Sequence, residues 1–130
     1  MSSANEKLVT DFCMGLRGRL ADAVQPLAED VDYWNIPMKP VKGREASRAF
    51  LEPFLGDGHN LLEKMEILQT TSAGDVVMNE RLETWTCGST TIKLPVSGVF
   101  EIKGGKIEKW RDYFDLATLN PLLSAMQGKS

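Results

Sequence analysis

The stretch VVMNERLETWTCGSTTIKLPVSGVFEIKGGKIEKWRDYFD, residues 76–115, decides the fold. It is rich in β-branched and aromatic residues, which are typical of strands. Two turn signals, Gly88-Ser89 and Gly104-Gly105, divide it into segments of strand length. Three long antiparallel strands joined by hairpins are therefore predicted at residues 76–87, 91–103 and 106–115.

The remainder of the chain supplies further strands and several helices. Residues 63–71 have a similar composition and precede the turn signal Ala73-Gly74-Asp75. A short strand is predicted at 31–35, before Pro37 and Pro40. Helical spacing of apolar residues predicts helices at 5–20, 22–27, 43–56 and 116–126. Helices followed by hairpins predict an α+β fold, a curved and mainly antiparallel sheet whose N-terminal helices close a deep pocket.

The composition is that of a globular protein and excludes several classes of function. Of the 130 residues, 42% are hydrophobic and 25% charged, so we expect one domain over residues 1–130 rather than disorder. The net charge of -3 predicts no binding to nucleic acid or membranes. The start, MSSANEKLVTDF, lacks a basic region followed by an apolar run, so no signal peptide is expected. No window approaches the roughly 20 apolar residues of a membrane span, and we expect a cytoplasmic protein.

Cysteine and histidine are too few for a conventional zinc site. The chain has Cys13, Cys87 and a single His59, which fall in different predicted elements. We expect Cys13, on the apolar face of the first helix, to be buried, and His59 to be a polar surface residue. No metal or other cofactor is predicted.

Polar side chains that share a face with apolar ones mark the candidate site on the strands. Residues two apart on a strand share a face, so Asp112 lies between Trp110 and Phe114. One face of strand 76–87 carries Val77, Asn79, Arg81, Glu83 and Trp85. Neither face of that strand is cleanly apolar, so the strand alone leaves open which face is buried.

Two interpretations of these charged residues are open at this point. Arg81, Glu83 and Asp112 can form a surface or ion-paired cluster, because charges are rarely buried without a partner. Alternatively, they can perform acid–base chemistry in a dry pocket. Tyr33 and Asn35 share a face and favour the pocket, since a hydroxyl and an amide can together hold a water molecule.

An ordered set of short motifs resembles the limonene epoxide hydrolase family. The motifs are Tyr33-Trp34-Asn35-Ile36-Pro37-Met38, Gly43-Arg44, Glu80-Arg81-Leu82-Glu83, Gly98-Val99-Phe100, Gly105-Lys106-Ile107 and Trp110-Arg111-Asp112-Tyr113-Phe114-Asp115. Their spacing also agrees with the family, and the resemblance covers roughly residues 25–115. It implies the cone-shaped fold that the family shares with nuclear transport factor and ketosteroid isomerase.

The resemblance implies a cofactor-independent enzyme that adds water to a small apolar epoxide in a single acid–base step. Carried over, Glu83 is the base, Asp112 the acid and Arg81 the bridge between them. Tyr33 and Asn35 hold the water. The family usually has aspartate where this chain has Glu83. The extra methylene moves the carboxylate by about 1.5 Å unless the side chain folds back, and a displacement of about 1 Å can lower the rate about a hundredfold.

Five apolar positions correspond to residues that line the pocket in the family. They are Met65, Trp85, Leu94, Val96 and Phe114. Trp85 is larger than the aliphatic residue expected at its position, which predicts a smaller or differently shaped cavity. The expected substrate is therefore apolar but not restricted to limonene oxide. The resemblance also implies a homodimer formed through the sheet.

Two other functions stay open for such a pocket. An isomerase or cyclase of the ketosteroid isomerase type also combines a carboxylate base with a neutral acid and a tyrosine. The spacing of Arg81, Glu83 and Asp112 fits the hydrolase better. A non-catalytic binding protein for an apolar small molecule is the second alternative, and the presence of Glu83 keeps it open. Turnover of epoxides and enones would separate the three functions.

Overall fold

The computed structural model describes residues 2–128, with side chains from Ala4 onward. Met1, Lys129 and Ser130 of the predicted domain lie outside the described residues. Within them the chain forms four helices and six strands. These are α1 (Ser2–Gly15), α2 (Leu20–Ala23), β1 (Leu27–Asn35), β2 (Val41–Lys42), α3 (Arg44–Leu55), β3 (Leu62–Ala73), β4 (Val76–Cys87), β5 (Thr90–Lys103), β6 (Lys106–Tyr113) and α4 (Leu116–Met126).

The six strands form a single curved sheet in the order β2-β1-β6-β5-β4-β3. Neighbouring strands are antiparallel except β1 and β6, which are parallel. Register irregularities interrupt the pairing between Ile67 and Gln69 and between Glu101 and Ile102, and such bulges bend a strand. The hairpin between β5 and β6 turns at Gly104 and Gly105, where φ is 58° and 75°, values that glycine adopts without strain. The predicted curved, mainly antiparallel sheet is confirmed.

The helices pack against the concave face of the sheet and enclose the core. Helix α1 contacts β3 and β4, α3 contacts β1, and α4 contacts β4 and β5. Helix α1 buries Val9, Phe12, Cys13 and Leu16 at the spacing of one helical face. The predicted burial of Cys13 and surface position of His59 are confirmed.

The first helices differ from their predicted bounds. Helix α1 ends at Gly15 rather than at residue 20, because glycine is a weak helix former and Gly18 donates to the Gly15 carbonyl in a turn. The prediction of a helix at 22–27 is wrong at its end, since Leu27 already pairs with Ile107 of β6. The bounds of β4 and α4 agree with the predictions. Across the described part of the chain no helix is long and apolar enough to cross a membrane.

Candidate active site

Arg81 is the centre of a buried polar cluster on the concave face. Its side chain lies on the inward face of β4 and the residue is 1% exposed. Nη2 donates to Glu83 Oε2 at 2.9 Å and to Asp112 Oδ2 at 2.8 Å. Nε donates to the same Glu83 oxygen at 3.0 Å, and Nη1 donates to Asn79 Oδ1 at 2.9 Å. One guanidinium nitrogen therefore joins two carboxyl groups that come from different strands.

Two tryptophans hold the remaining oxygens of these carboxyl groups. Trp85 Nε1 donates to Glu83 Oε1 at 3.0 Å, and Trp110 Nε1 donates to Asp112 Oδ1 at 2.9 Å. Each tryptophan is two residues from its carboxyl on the same strand face, so strand alternation brings the groups together. Both carboxyls thus have one oxygen on Arg81 and the other on an indole.

Burial and neighbouring charge set the electrostatics of the cluster. Burial has the largest effect on the pKa of Glu83 and raises it. The charge of Arg81 lowers this pKa and the charge of Asp112 raises it, and the net result is a raised pKa. Burial alone lowers the pKa of Arg81, but the charges around it, with Asp112 foremost, leave this pKa raised and the guanidinium protonated. A raised carboxyl pKa favours the neutral acid, which can donate a proton.

Tyr33 and Asn35 lie on β1 beside Asp112. In the parallel register Tyr33 is opposite Trp110, and Asn35 is opposite Asp112. The Tyr33 ring stacks on Trp110 with 3.9 Å between centroids, and Asn35 Nδ2 donates to the phenol oxygen at 2.9 Å. Burial, followed by the charge of Asp112, raises the pKa of Tyr33, so its phenol stays neutral and can donate a hydrogen bond.

A cavity of about 60 Å³ with mainly apolar walls is lined in one part by the polar side chains of Tyr33, Asn35, Glu83 and Asp112. Four of the five predicted lining residues, Trp85, Leu94, Val96 and Phe114, face this cavity. Met65 does not line it: this residue is buried in β3 opposite Glu83. Other walls come from residues outside the predicted set, and they are Leu16, Met38, Phe50, Leu51, Phe54, Leu55, Trp110 and Leu119. The spacing of Phe50, Leu51, Phe54 and Leu55 on α3 is the signal that could have found four of them.

Metal coordination has no candidate residues here. Among the side chains that the structure describes, no group of three His, Cys, Asp or Glu is placed to hold a metal ion. Glu83 and Asp112 instead accept hydrogen bonds from Arg81 and the two indoles.

Comparison with known proteins assigns the family. A family model described as the limonene-1,2-epoxide hydrolase catalytic domain matches residues 3–126. The chain belongs to the limonene-1,2-epoxide hydrolase family. The match extends beyond the motifs, since it includes nearly all of α1 and the whole of α4.

Individual relatives agree with the family and with the fold. Epoxide hydrolase EphG of Mycobacterium tuberculosis is 28% identical over 83% of this chain and 71% of its own length. An epoxide hydrolase from M. tuberculosis that resembles limonene epoxide hydrolase is 26% identical in sequence. Its structure aligns over 94% of each chain with a TM-score of 0.77. A Catenulispora acidiphila protein with a ketosteroid isomerase-like fold is 21% identical and covers 85% of this chain and 87% of its own, with a TM-score of 0.68. That likeness concerns the fold alone.

Two residues outside the predicted set support Arg81 in this member of the limonene epoxide hydrolase family. Asn79 accepts from the guanidinium and donates to Cys13 Sγ at 3.6 Å. Burial, the largest effect on Cys13, raises its thiol pKa to about 11, so the thiol is protonated. Gly98, opposite Asn79 on β5, has no Cβ, and a Cβ there would press on Arg81 Nη1, Phe100 and Asn79. Close approach of a neighbouring side chain is a recognised reason for glycine within a strand.

Proposed function

We propose that this protein hydrolyses small apolar epoxides in one acid–base step, using water and its own side chains. The observation that carries the proposal is the pair of carboxyls, Glu83 and Asp112, joined through one nitrogen of Arg81 beside an apolar cavity. Epoxide opening needs a base for the water and an acid for the departing oxygen. Two buried carboxyls that share one cation can hold opposite protonation states at one pH.

In this proposal Asp112 is the base and Glu83 the acid. Asn35 is the register partner of Asp112, so a water held by the amide and the Tyr33 phenol is next to Asp112. The raised pKa of Glu83 suits a proton donor. The opposite division of roles, which the resemblance alone implied, fits poorly, because the water-binding pair lies on the strand next to Asp112. Glutamate in place of aspartate at position 83 therefore alters the proton donor rather than the base.

The proposed step balances in atoms and charge. A water held by Tyr33 and Asn35 gives a proton to Asp112 as its oxygen forms a bond to an epoxide carbon. The bond between that carbon and the epoxide oxygen breaks, and Glu83 gives its proton to this oxygen. The product is a diol, and a proton passing from Asp112 back to Glu83 restores the starting state. Arg81 stays protonated and stabilises the negative charge on either carboxylate.

The direct test is turnover of a panel of small epoxides and enones, with diol and isomer measured separately. Diol from epoxides, formed far more slowly in both Asp112→Asn and Glu83→Gln, is the expected result. Isomerised enone without diol would favour the ketosteroid isomerase alternative. Tight binding of apolar compounds without turnover of either class would favour the binding-protein alternative. The homodimer and the cytoplasmic location stay predictions, and gel filtration and cell fractionation test them.

A further inference from the structure

Trp85 belongs to the polar cluster and to the apolar wall at the same time. Its indole N–H donates to Glu83 Oε1 at 3.0 Å, while its ring lines the cavity. The ring packs edge-on against Phe54 of α3, with 6.1 Å between centroids and 78° between planes. Packing against the helix therefore fixes the direction of the N–H that reaches Glu83.

The two oxygens of Glu83 have different surroundings. Oε2 accepts from two N–H groups of Arg81, at 3.0 and 2.9 Å. A proton on Oε2 would face these two donors, so in the neutral acid the proton sits on Oε1. Oε1 is thus the oxygen that can protonate a substrate. The only side chain that donates to it among the described residues is Trp85.

We propose that Trp85 is a positioning residue for Glu83 and, with the same ring, limits the size of the substrate. The inference rests on the proposed function and deepens it. Glu83 has one more rotatable bond than aspartate, and the carboxyl needs contacts on both sides to stay in one rotamer. Arg81 supplies the contact from one side along the strand, and Trp85 supplies it from the other. Widening the cavity at Trp85 therefore releases the proton donor.

The size of the cavity indicates which class of epoxide it can accept. One water needs about 10–15 Å³ of cavity volume, and the cavity measures about 60 Å³. It therefore has room for about four to six water molecules. A space of this size favours compact aliphatic epoxides such as propylene oxide over larger cyclic ones such as cyclohexene oxide.

The kinetic test compares two changes at Trp85. Trp85→Phe removes the N–H and keeps an aromatic ring, whereas Trp85→Leu removes the N–H and widens the cavity. Both should lower kcat for propylene oxide about tenfold to a hundredfold, as expected when a catalytic group is misplaced. Trp85→Leu, which widens the cavity more than Trp85→Phe does, should raise the relative rate with cyclohexene oxide further. A Trp85→Phe variant with unaltered kcat and an unaltered pH profile would overturn the positioning role.

Trp34→Phe is the matched control. Trp34 is 39% exposed on the other face of β1, and its indole N–H donates to the Met38 carbonyl at 2.7 Å. The same chemical change there should leave kcat and the pH profile as they are.

A measurement without substrate separates this inference from the proposed function. The side-chain carboxyl of Glu83, labelled with carbon-13, is titrated by NMR in the unaltered protein, in Trp85→Phe and in Trp34→Phe. A hydrogen bond to the ionised form favours that form, so Trp85→Phe should raise the pKa of Glu83 and Trp34→Phe should not. An unchanged titration in Trp85→Phe overturns the inference. A raised pKa in a protein that opens no epoxide upholds the positioning and rejects the proposed function.

Discussion

Asn35 lies directly opposite Asp112 across the parallel pair of β1 and β6, and this register brings the amide of one strand to the carboxyl of the other. Tyr33, two residues before Asn35 on the same face of β1, stacks on Trp110, whose indole donates to the second oxygen of Asp112. The phenol, the amide and the carboxyl thus form one wall of the cavity. Glu83 approaches from β4 and joins them only through Arg81. This asymmetry is the basis of the distinct roles that we propose for the two carboxyls.

The pH dependence of epoxide hydrolysis should identify the acid. Activity should fall as pH rises through the raised pKa of Glu83, because the acid then loses its proton. The residual activity of Glu83→Gln should lack this fall, since the amide does not titrate. Asp112→Asn should keep the fall at a lower overall rate. If the fall disappeared in Asp112→Asn and persisted in Glu83→Gln, the two roles would be exchanged.

Tyr33→Phe tests the hydroxyl that is proposed to hold the water. Phenylalanine retains the stack on Trp110 but leaves the Asn35 amide without its acceptor, so the variant should lose about 1–3 kcal/mol of unfolding free energy while kcat falls about tenfold or more. The matched control is Tyr113→Phe at the chain's other tyrosine, which is 44% exposed. Equal rates in the two variants, measured at the same pH, would remove Tyr33 from the mechanism.

Gly98→Ala tests the space that the guanidinium needs. The new Cβ would meet Arg81 Nη1 and lie 2.8 Å from Phe100 Cε1, so the variant should lose about 1–3 kcal/mol of unfolding free energy. It should also lose activity as Arg81 shifts. Gly15→Ala is the control, because nothing lies within 4 Å of its new Cβ. Urea unfolding measures the free energy of unfolding of both variants. Equal values for the two would show that the strand accommodates the methyl group at position 98.

The stability of the protein should depend on pH through Glu83. Its pKa in the folded protein is raised above the ordinary 4.5, so the folded state binds this proton more tightly than the unfolded chain does. The resulting contribution is present below pH 4.5 and is lost as pH rises through the folded pKa. Unfolding of the unaltered protein and of Glu83→Gln, compared from about pH 4 to 8, should show the unaltered protein losing stability relative to the variant. A relative gain with rising pH would mean that the pKa of Glu83 is lowered instead.

Much of the site was predictable because strand alternation is a local property. The period of two places Arg81 and Glu83 on one face of β4, and Trp110 and Asp112 on one face of β6. The long strands were predicted from their composition and from the turn glycines between them. The last helix was predicted from the helical spacing of its apolar residues. Alternation did not say which face of β4 is buried, because polar and apolar residues are mixed on both faces of this strand.

The proposed division of roles was not predictable from alternation. It depends on the register between β1 and β6, two strands separated by most of the chain, and a shift by one residue would turn Asn35 away from Asp112. The contact between Trp85 and Glu83 depends on side-chain rotamers, which are set by packing against Phe54. Met65 illustrates the same limit, because it lies opposite Glu83 and is buried without reaching the cavity.

In the proposed mechanism water adds directly to the epoxide, with Asp112 as base. The most direct measurement is a single turnover of propylene oxide with enzyme in excess, in water enriched in oxygen-18. Direct addition predicts one labelled oxygen in the diol of the first turnover, and far slower formation of that diol by Asp112→Asn. An unlabelled first-turnover diol would mean that a protein carboxylate attacks the epoxide and supplies the oxygen, and it would contradict direct addition of water.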